Sequence, residues 1–151
     1  MTMKCWCIAL FWVGSSLVAT AGDGSILKVL PHFVDKDGQH TTGPSLIDRD
    51  VYQKELRTHP DKVSSYRFDV NWRGNALKPV KSRLQIEVRS FKPGIDPIIL
   101  EFPVINKGVF SQWTSIVIDA ATYKKFGIPE SWRATLWEDD RLLSEQKSFL
   151  W

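Results

Sequence analysis

Tyr66-Arg67-Phe68-Asp69-Val70-Asn71-Trp72-Arg73 sets an aromatic or branched apolar side chain at every second position and a polar one between each pair. Successive side chains of a strand point to opposite faces, so this stretch is a β-strand with one dry and one wet side. Ser82, Leu84, Ile86 and Val88 repeat the rhythm against Arg83, Gln85, Glu87 and Arg89. Two half-wet strands belong to an antiparallel sheet with one face on a core, and not to a doubly covered parallel sheet.

Upstream, Ile26 to Val34 alternates apolar residues with Lys28 and His32 and contains Pro31, which cannot donate to a ladder and marks an edge strand. Asp35-Lys36-Asp37-Gly38 carries turn chemistry, and the polar stretch as far as Pro44 reads as loop. Ser45 and Asp48 form a helix-start signal, after which Val51, Tyr52, Glu55 and Leu56 recur at helical spacing until His59-Pro60. A helix that short is marginal alone, so Val51, Tyr52 and Leu56 are expected to dock on the end or edge of a sheet.

Downstream, Pro93-Gly94 and Asp96-Pro97 frame a turn into Ile98–Val104, whose Pro103 again marks an edge. Phe110–Ile118 has apolar residues on both faces (Trp113 and Val117; Ile116 and Ile118), which points to a central strand. Asp119 caps a helical turn through Tyr123 that Gly127 ends. Trp132–Glu138 and Arg141–Trp151 form a hairpin about Asp139-Asp140; the expected register sets Leu136 opposite Leu143, Trp137 opposite Leu142 and Arg133 opposite Gln146. Parity slips within the last strand, since Leu143 and Phe149 share a face with Glu145 and Lys147, so a bulge is expected there.

These elements define an all-β antiparallel sandwich of about seven strands with short helices in two crossovers. The order resembles an immunoglobulin-like or fibronectin-type-III-like sandwich over Ile26 to Trp151, without the paired cysteines of antibody domains. Trp132-Arg133-Ala134-Thr135-Leu136-Trp137 with Lys147-Ser148-Phe149-Leu150-Trp151 is also similar to the end of small exported bacterial proteins of unestablished role. That similarity implies no functional residue.

Lys4, an apolar run from Cys5 to Val18 and Ala19-Thr20-Ala21 make the three parts of a secretory signal, with residues 1–21 a cleavable leader and 22–151 a single sandwich domain. The run is shorter than the about 20 residues a membrane span needs and is broken by Gly14-Ser15-Ser16. Gly22, where a lipoprotein has cysteine, argues against lipidation. The expected location is therefore periplasmic or extracellular, with no integral span after cleavage. Both cysteines, Cys5 and Cys7, leave with the leader, so the body holds itself together by packing. Without Lys4 the formal charge of +3 becomes +2, too balanced for nucleic acid as a partner.

Chemical motifs are weak. Asp35, Asp37 and Gly38 resemble the opening of a calcium loop, but His40 and Leu46 occupy the positions that need glycine and glutamate. His32, His40 and His59 lack metal-ligand spacing, so a zinc site would need the fold to gather distant residues. Ser45 and His59 with an aspartate could be drawn as a triad, but no nucleophile elbow supports it. Asp48 with Asp50 and Asp139 with Asp140 suit a helix start and a turn. Trp151 with Phe149 resembles the closing aromatic of outer-membrane barrels, but Glu145 and Lys147 interrupt a lipid-facing band and the strand count is odd. No catalytic, cofactor or metal residue is assigned.

The expected role is a non-catalytic binding or structural module in the envelope or outside the cell, with a protein or glycan partner. The loops 37–45 and 73–81 are the contact candidates, through Trp72, Arg73, Lys78 and Lys81, and replacing Trp72 and Arg73 is expected to weaken capture without changing melting. The alternative is a carbohydrate-binding module, with Trp137 or Trp151 as the stacking platform, because Trp132 and Trp137 have opposite parity and cannot both point inward.

Overall fold

The computed structural model describes residues 24–74, 80–106 and 110–151. The leader, its cleavage point and Lys78 lie outside the described residues. In chain order the elements are β1 (Gly24–Asp35), α1 (Leu46–Thr58), a 3-10 turn (Pro60–Lys62), β2 (Val63–Gly74), β3 (Val80–Ser90), β4 (Ile98–Asn106), β5 (Gln112–Ile118), α2 (Ala120–Phe126), β6 (Pro129–Glu138) and β7 (Arg141–Lys147). A three-stranded sheet ordered β1-β2-β5 faces a four-stranded sheet ordered β4-β3-β6-β7, and all neighbours are antiparallel. These two antiparallel layers make an all-β, immunoglobulin-like sandwich of seven strands, with β4 placed beside β3 at one edge.

The alternation in β2 and β3 builds the core. Phe68, Val70 and Trp72 from one sheet meet Leu84, Ile86, Val88, Ala134 and Leu136 from the other, and Ile116 and Ile118 extend the layer. Full burial of each large apolar side chain stabilises by about 1.5–3 kcal/mol. Phe33, Tyr66, Phe68 and Trp132 form an edge-to-face chain across the interior with centroids 5.0, 5.2 and 6.3 Å apart.

Both proline-marked strands, β1 and β4, are edges as expected. β5 is an edge too, and this corrects the expectation of a central strand. Among the described residues it pairs only with β2, and its outward Trp113 and Val117 are exposed. β1 carries a bulge at Leu27 and then reaches across to the other sheet, where the Ile26 amide donates to Ser144 Oγ at 3.0 Å and Gly24 packs against Leu143 and Leu136.

The β6–β7 hairpin pairs Glu138 with Arg141 and Trp137 with Leu142 about Asp139-Asp140, as read from the sequence. The bulge then falls at Leu143, earlier than the expected register allowed. Leu136 therefore faces Ser144 and Arg133 faces Lys147, in place of Leu143 and Gln146. Extra length on one strand shifts every later pair by one.

Ser45 and Asp48 make the reciprocal capping box of α1. Leu56 is fully buried and Tyr52 packs against the core, but Val51 is exposed with Leu46 and Ile47, so the helix docks on a narrower stripe than expected. Gln53 fixes it to the edge of β1: its Oε1 accepts from the Phe33 amide at 2.7 Å and its Nε2 donates to the Phe33 carbonyl at 2.9 Å. The amide group thus takes the place of a neighbouring strand, which protects an otherwise open edge. The same Nε2 donates to the His40 carbonyl at 2.9 Å and holds down the 36–45 loop. Asp119 caps α2, whose Tyr123 and Phe126 are buried, and Gly127 ends it at φ +85°.

Candidate functional site

Two recesses on opposite outer faces of the sandwich gather polar and aromatic groups. The first lies on the four-stranded sheet. Register places Arg83 beside Trp137, Gln85 beside Thr135, Glu87 beside Arg133, and Leu142 and Glu145 beside Trp137 and Thr135. Outward side chains of three adjacent strands therefore converge on a groove of about 260 Å³ lined by Gln85, Glu87, Arg133, Thr135, Trp137, Leu142 and Glu145.

Arg133 is its charged centre, 2.5 Å from Glu87 and 3.7 Å from Glu145. Lys147 adds a second contact to Glu145 at 3.0 Å. The Trp137 indole N–H donates to Thr135 Oγ1 at 2.9 Å, and the Arg83 guanidinium stands 5.6 Å from the ring centroid. The Gln85 side-chain amide has no protein hydrogen bond among the described residues. The floor combines an apolar ring, two carboxylates, a guanidinium and a side-chain amide, a set that can grip a ligand with one apolar face and several hydroxyls.

The second recess lies on the three-stranded sheet under the 36–45 loop, about 360 Å³ lined by Leu30, His32, His40, Arg49, Arg67, Asp69, Trp113 and Ser115. Asp35 shapes the loop: its Oδ1 accepts from the Asp37 and Gln39 amides at 2.9 and 2.8 Å, and its Oδ2 accepts from the Tyr52 hydroxyl. This is the turn read from the sequence. It brings His40 within 4.9 Å of His32, ring centroid to ring centroid. His32 is only 4% exposed, and its Nε2 lies 3.3 Å from Asp69 Oδ2. Asp69 also accepts from Arg67 Nη2 at 2.9 Å and from Ser115 Oγ at 2.5 Å. Burial pushes the Asp69 carboxyl up, but hydrogen bonds from His32 and Ser115 and the Arg67 charge outweigh it and hold the group well below the usual carboxylate range. Burial, then the Arg67 charge, push His40 below the ordinary histidine value. Three metal-ligating groups, His32, His40 and Asp69, have ligand atoms within 4.8 Å of one another.

The residues singled out from sequence are dispersed. Trp72 is a core residue at 1% exposure, its indole N–H donating to Thr114 Oγ1 at 2.9 Å, so its ring offers no contact surface. Its parity with Phe68 and Val70 had already put it on the dry face. Arg73 and Lys81 are exposed, but by strand parity they stand on opposite outer faces and form no common patch. Trp137 points outward into the first recess, while Trp132 packs on the core, as their opposite parity requires. Trp151 folds back over the sheet with the Arg89 and Arg133 guanidinium carbons 3.9 and 5.1 Å from its ring centroid, so cations already occupy that ring. Ser45 and His59 sit at opposite ends of α1 and do not converge. His59 bonds instead to Thr58 and the Glu55 carbonyl. The acids of the turns have the structural roles expected: Asp48 caps, Asp50 pairs with Arg49, and Asp139 takes φ 50° in the hairpin turn.

No family model and no curated protein matches the chain. Among solved structures, a β-glucosidase from Kluyveromyces marxianus is similar over 56% of this chain at 7% identity and a TM-score of 0.35, and the match spans 12% of that enzyme's length. No helix among the described residues is long and apolar enough to cross a membrane.

Proposed function

We propose that this protein is an exported, non-catalytic binding module whose ligand, a carbohydrate, lies in the groove around Trp137. The observation that carries this reading is the indole, held rigid by Thr135, beside the side-chain amide of Gln85, the carboxylates of Glu87 and Glu145, and Arg133. A sugar ring has an apolar face of C–H groups that stacks on an indole, and rim hydroxyls that need planar acceptors and donors at fixed distances. Three paired strands supply that fixed spacing without a moving loop. Arg133 ties both carboxylates to one guanidinium, an arrangement suited to accepting hydroxyl hydrogen bonds rather than to delivering a proton. The leader-like pattern of residues 1–21 supports the export part of this reading.

The test is titration of the intact protein with cell-wall and storage glycans, followed by indole fluorescence and calorimetry. Saturable binding by at least one glycan, weakened tenfold or more in Trp137→Ala with parent-like sheet circular dichroism, is the expected result. Failure of every glycan to bind, or equal binding by Trp137→Ala, refutes the proposal.

A further inference from the structure

We propose that His32, His40 and Asp69 form a site for a divalent transition-metal ion of the zinc class, on the outer face opposite the Trp137 groove. The inference goes beyond the glycan reading and does not depend on it. Three segments that are separate in sequence, β1, the 36–45 loop and β2, bring two imidazoles and a carboxylate together, with ligand atoms within 4.8 Å of one another. The His32 Nε2 to Asp69 Oδ2 separation is 3.3 Å. Bonds of about 2.0–2.1 Å to a tetrahedral ion give an edge of about 3.3 Å, so these two ligands already stand at coordinating separation.

Asp69 has the outer-shell partner that a metal-ligating carboxylate needs, and the two histidines are held through their backbones. Ser115 Oγ donates to Asp69 Oδ1, which leaves Oδ2 turned toward His32. His32 is buried on a paired strand, and Gln53 anchors the His40 carbonyl. Only His40, on its loop, has to close in.

Arg67 supplies the counter-argument and also the diagnostic. Its Nη2 stands 2.9 Å from Asp69 Oδ2 and 3.3 Å from both ring nitrogens of His40, among the very atoms a metal would take. Its Nε is buried without a hydrogen-bond partner among the described residues, so the guanidinium is incompletely satisfied by them. The recess beside it, about 360 Å³, gives room for the side chain to move toward solvent. An incoming ion therefore exchanges with Arg67 as the counter-charge of Asp69. Three protein ligands leave a coordination position open to water or a small anion.

The experiment titrates the full chain with Zn²⁺ by calorimetry and with Co²⁺ by visible absorption, in the parent, His40→Ala and Arg67→Ala. The expected result is one ion per chain, the intense d–d bands of low-coordinate cobalt, and a zinc-dependent rise in melting temperature. His40→Ala is expected to weaken binding about 100-fold or more, since loss of an outer-shell partner alone costs 10–100-fold. Arg67→Ala is expected to tighten it by about tenfold, because a competing positive charge is gone. Absence of cobalt bands in the parent overturns the proposal whether or not the variants fold. So does zinc binding that survives His40→Ala and disappears on thiol alkylation, which assigns the metal to Cys5 and Cys7. Capture of inorganic phosphate, lost in Arg67→Ala, with no metal binding, identifies an anion site and overturns it as well.

Discussion

Replacing Trp72 by alanine is expected to cost a large share of this fold's stability, in contrast to the sequence-based expectation of an unchanged melting curve. The ring is 1% exposed, stands between the sheets beside Phe68 and Val70, and donates to Thr114 at 2.9 Å. Core tryptophan-to-alanine replacements cost about 3–5 kcal/mol, cavity included, and the lost hydrogen bond adds about 1 kcal/mol. Against a total of about 5–15 kcal/mol for a domain, a loss of about 4–6 kcal/mol is a large share. With a urea slope of about 2 kcal/mol per molar, the midpoint falls by about 2–3 M. Trp113, opposite Asn71 on the outer face of the same sheet and 55% exposed, is the control: Trp113→Ala should shift stability by no more than about 0.5 kcal/mol. Urea unfolding of both variants, followed by circular dichroism, decides it. A Trp72→Ala midpoint within about 0.3 M of the parent, or an equal fall in Trp113→Ala, would show that the inner and outer faces of this sheet are wrongly assigned.

Gln53→Leu removes the group that completes the β1 edge at Phe33 and the tie to His40, so hydrogen exchange should quicken at the Phe33 amide and in the 36–45 loop while β3 and β6 stay protected; unchanged exchange at Phe33 would contradict this. The Tyr52 hydroxyl, against a smaller push from burial, and then the Gln39 and Asp37 amides hold Asp35 below the usual carboxylate range, while the Asp35 hydrogen bond and then burial push Tyr52 up to about 12. Asp35's contribution is thus full above its unfolded value near 4 and lost as pH falls through the lower folded value, and Tyr52's is full below about pH 10 and lost as pH rises toward about 12. Tyr52→Phe should flatten both limbs of the stability profile, and identical pH slopes in parent and variant would contradict the pairing. Gly127→Ala, at φ +85° with Lys92 Cε 2.8 Å from an added Cβ, should destabilise by about 1 kcal/mol or more in thermal melts, and a neutral result would mean that α2 ends differently.

The sandwich was legible because its central strands are half-wet. Arg67, Asp69, Asn71 and Arg73 against Phe68, Val70 and Trp72 leave one way to place β2, and Leu84, Ile86 and Val88 do the same for β3. Pro31 and Pro103 declared their edges by lacking a donor. Trp113 and Val117 misled, because apolar residues on both sides of a strand read as two-sided burial, whereas β5 is hydrogen-bonded to β2 on one side and lies at the sheet's edge. The histidine recess was illegible for a different reason. His32 and His40 belong to different segments, and Asp69 joins them only through the β1–β2 register that sets His32 beside Arg67 and Leu30 beside Asp69. The Trp137 groove was half legible: parity sent the indole outward, but its neighbours Glu87 and Arg133 come from strand pairing across long sequence separations.

The reach of β1 from its own sheet to Ser144 ties the first strand of the sandwich to the last one. A chain delivered from one end, by a ribosome or through a translocation channel, then holds its opening segment unfinished until the closing hairpin has emerged. The last contacts to form therefore join residues more than a hundred positions apart, and a closure of such long sequence separation slows folding.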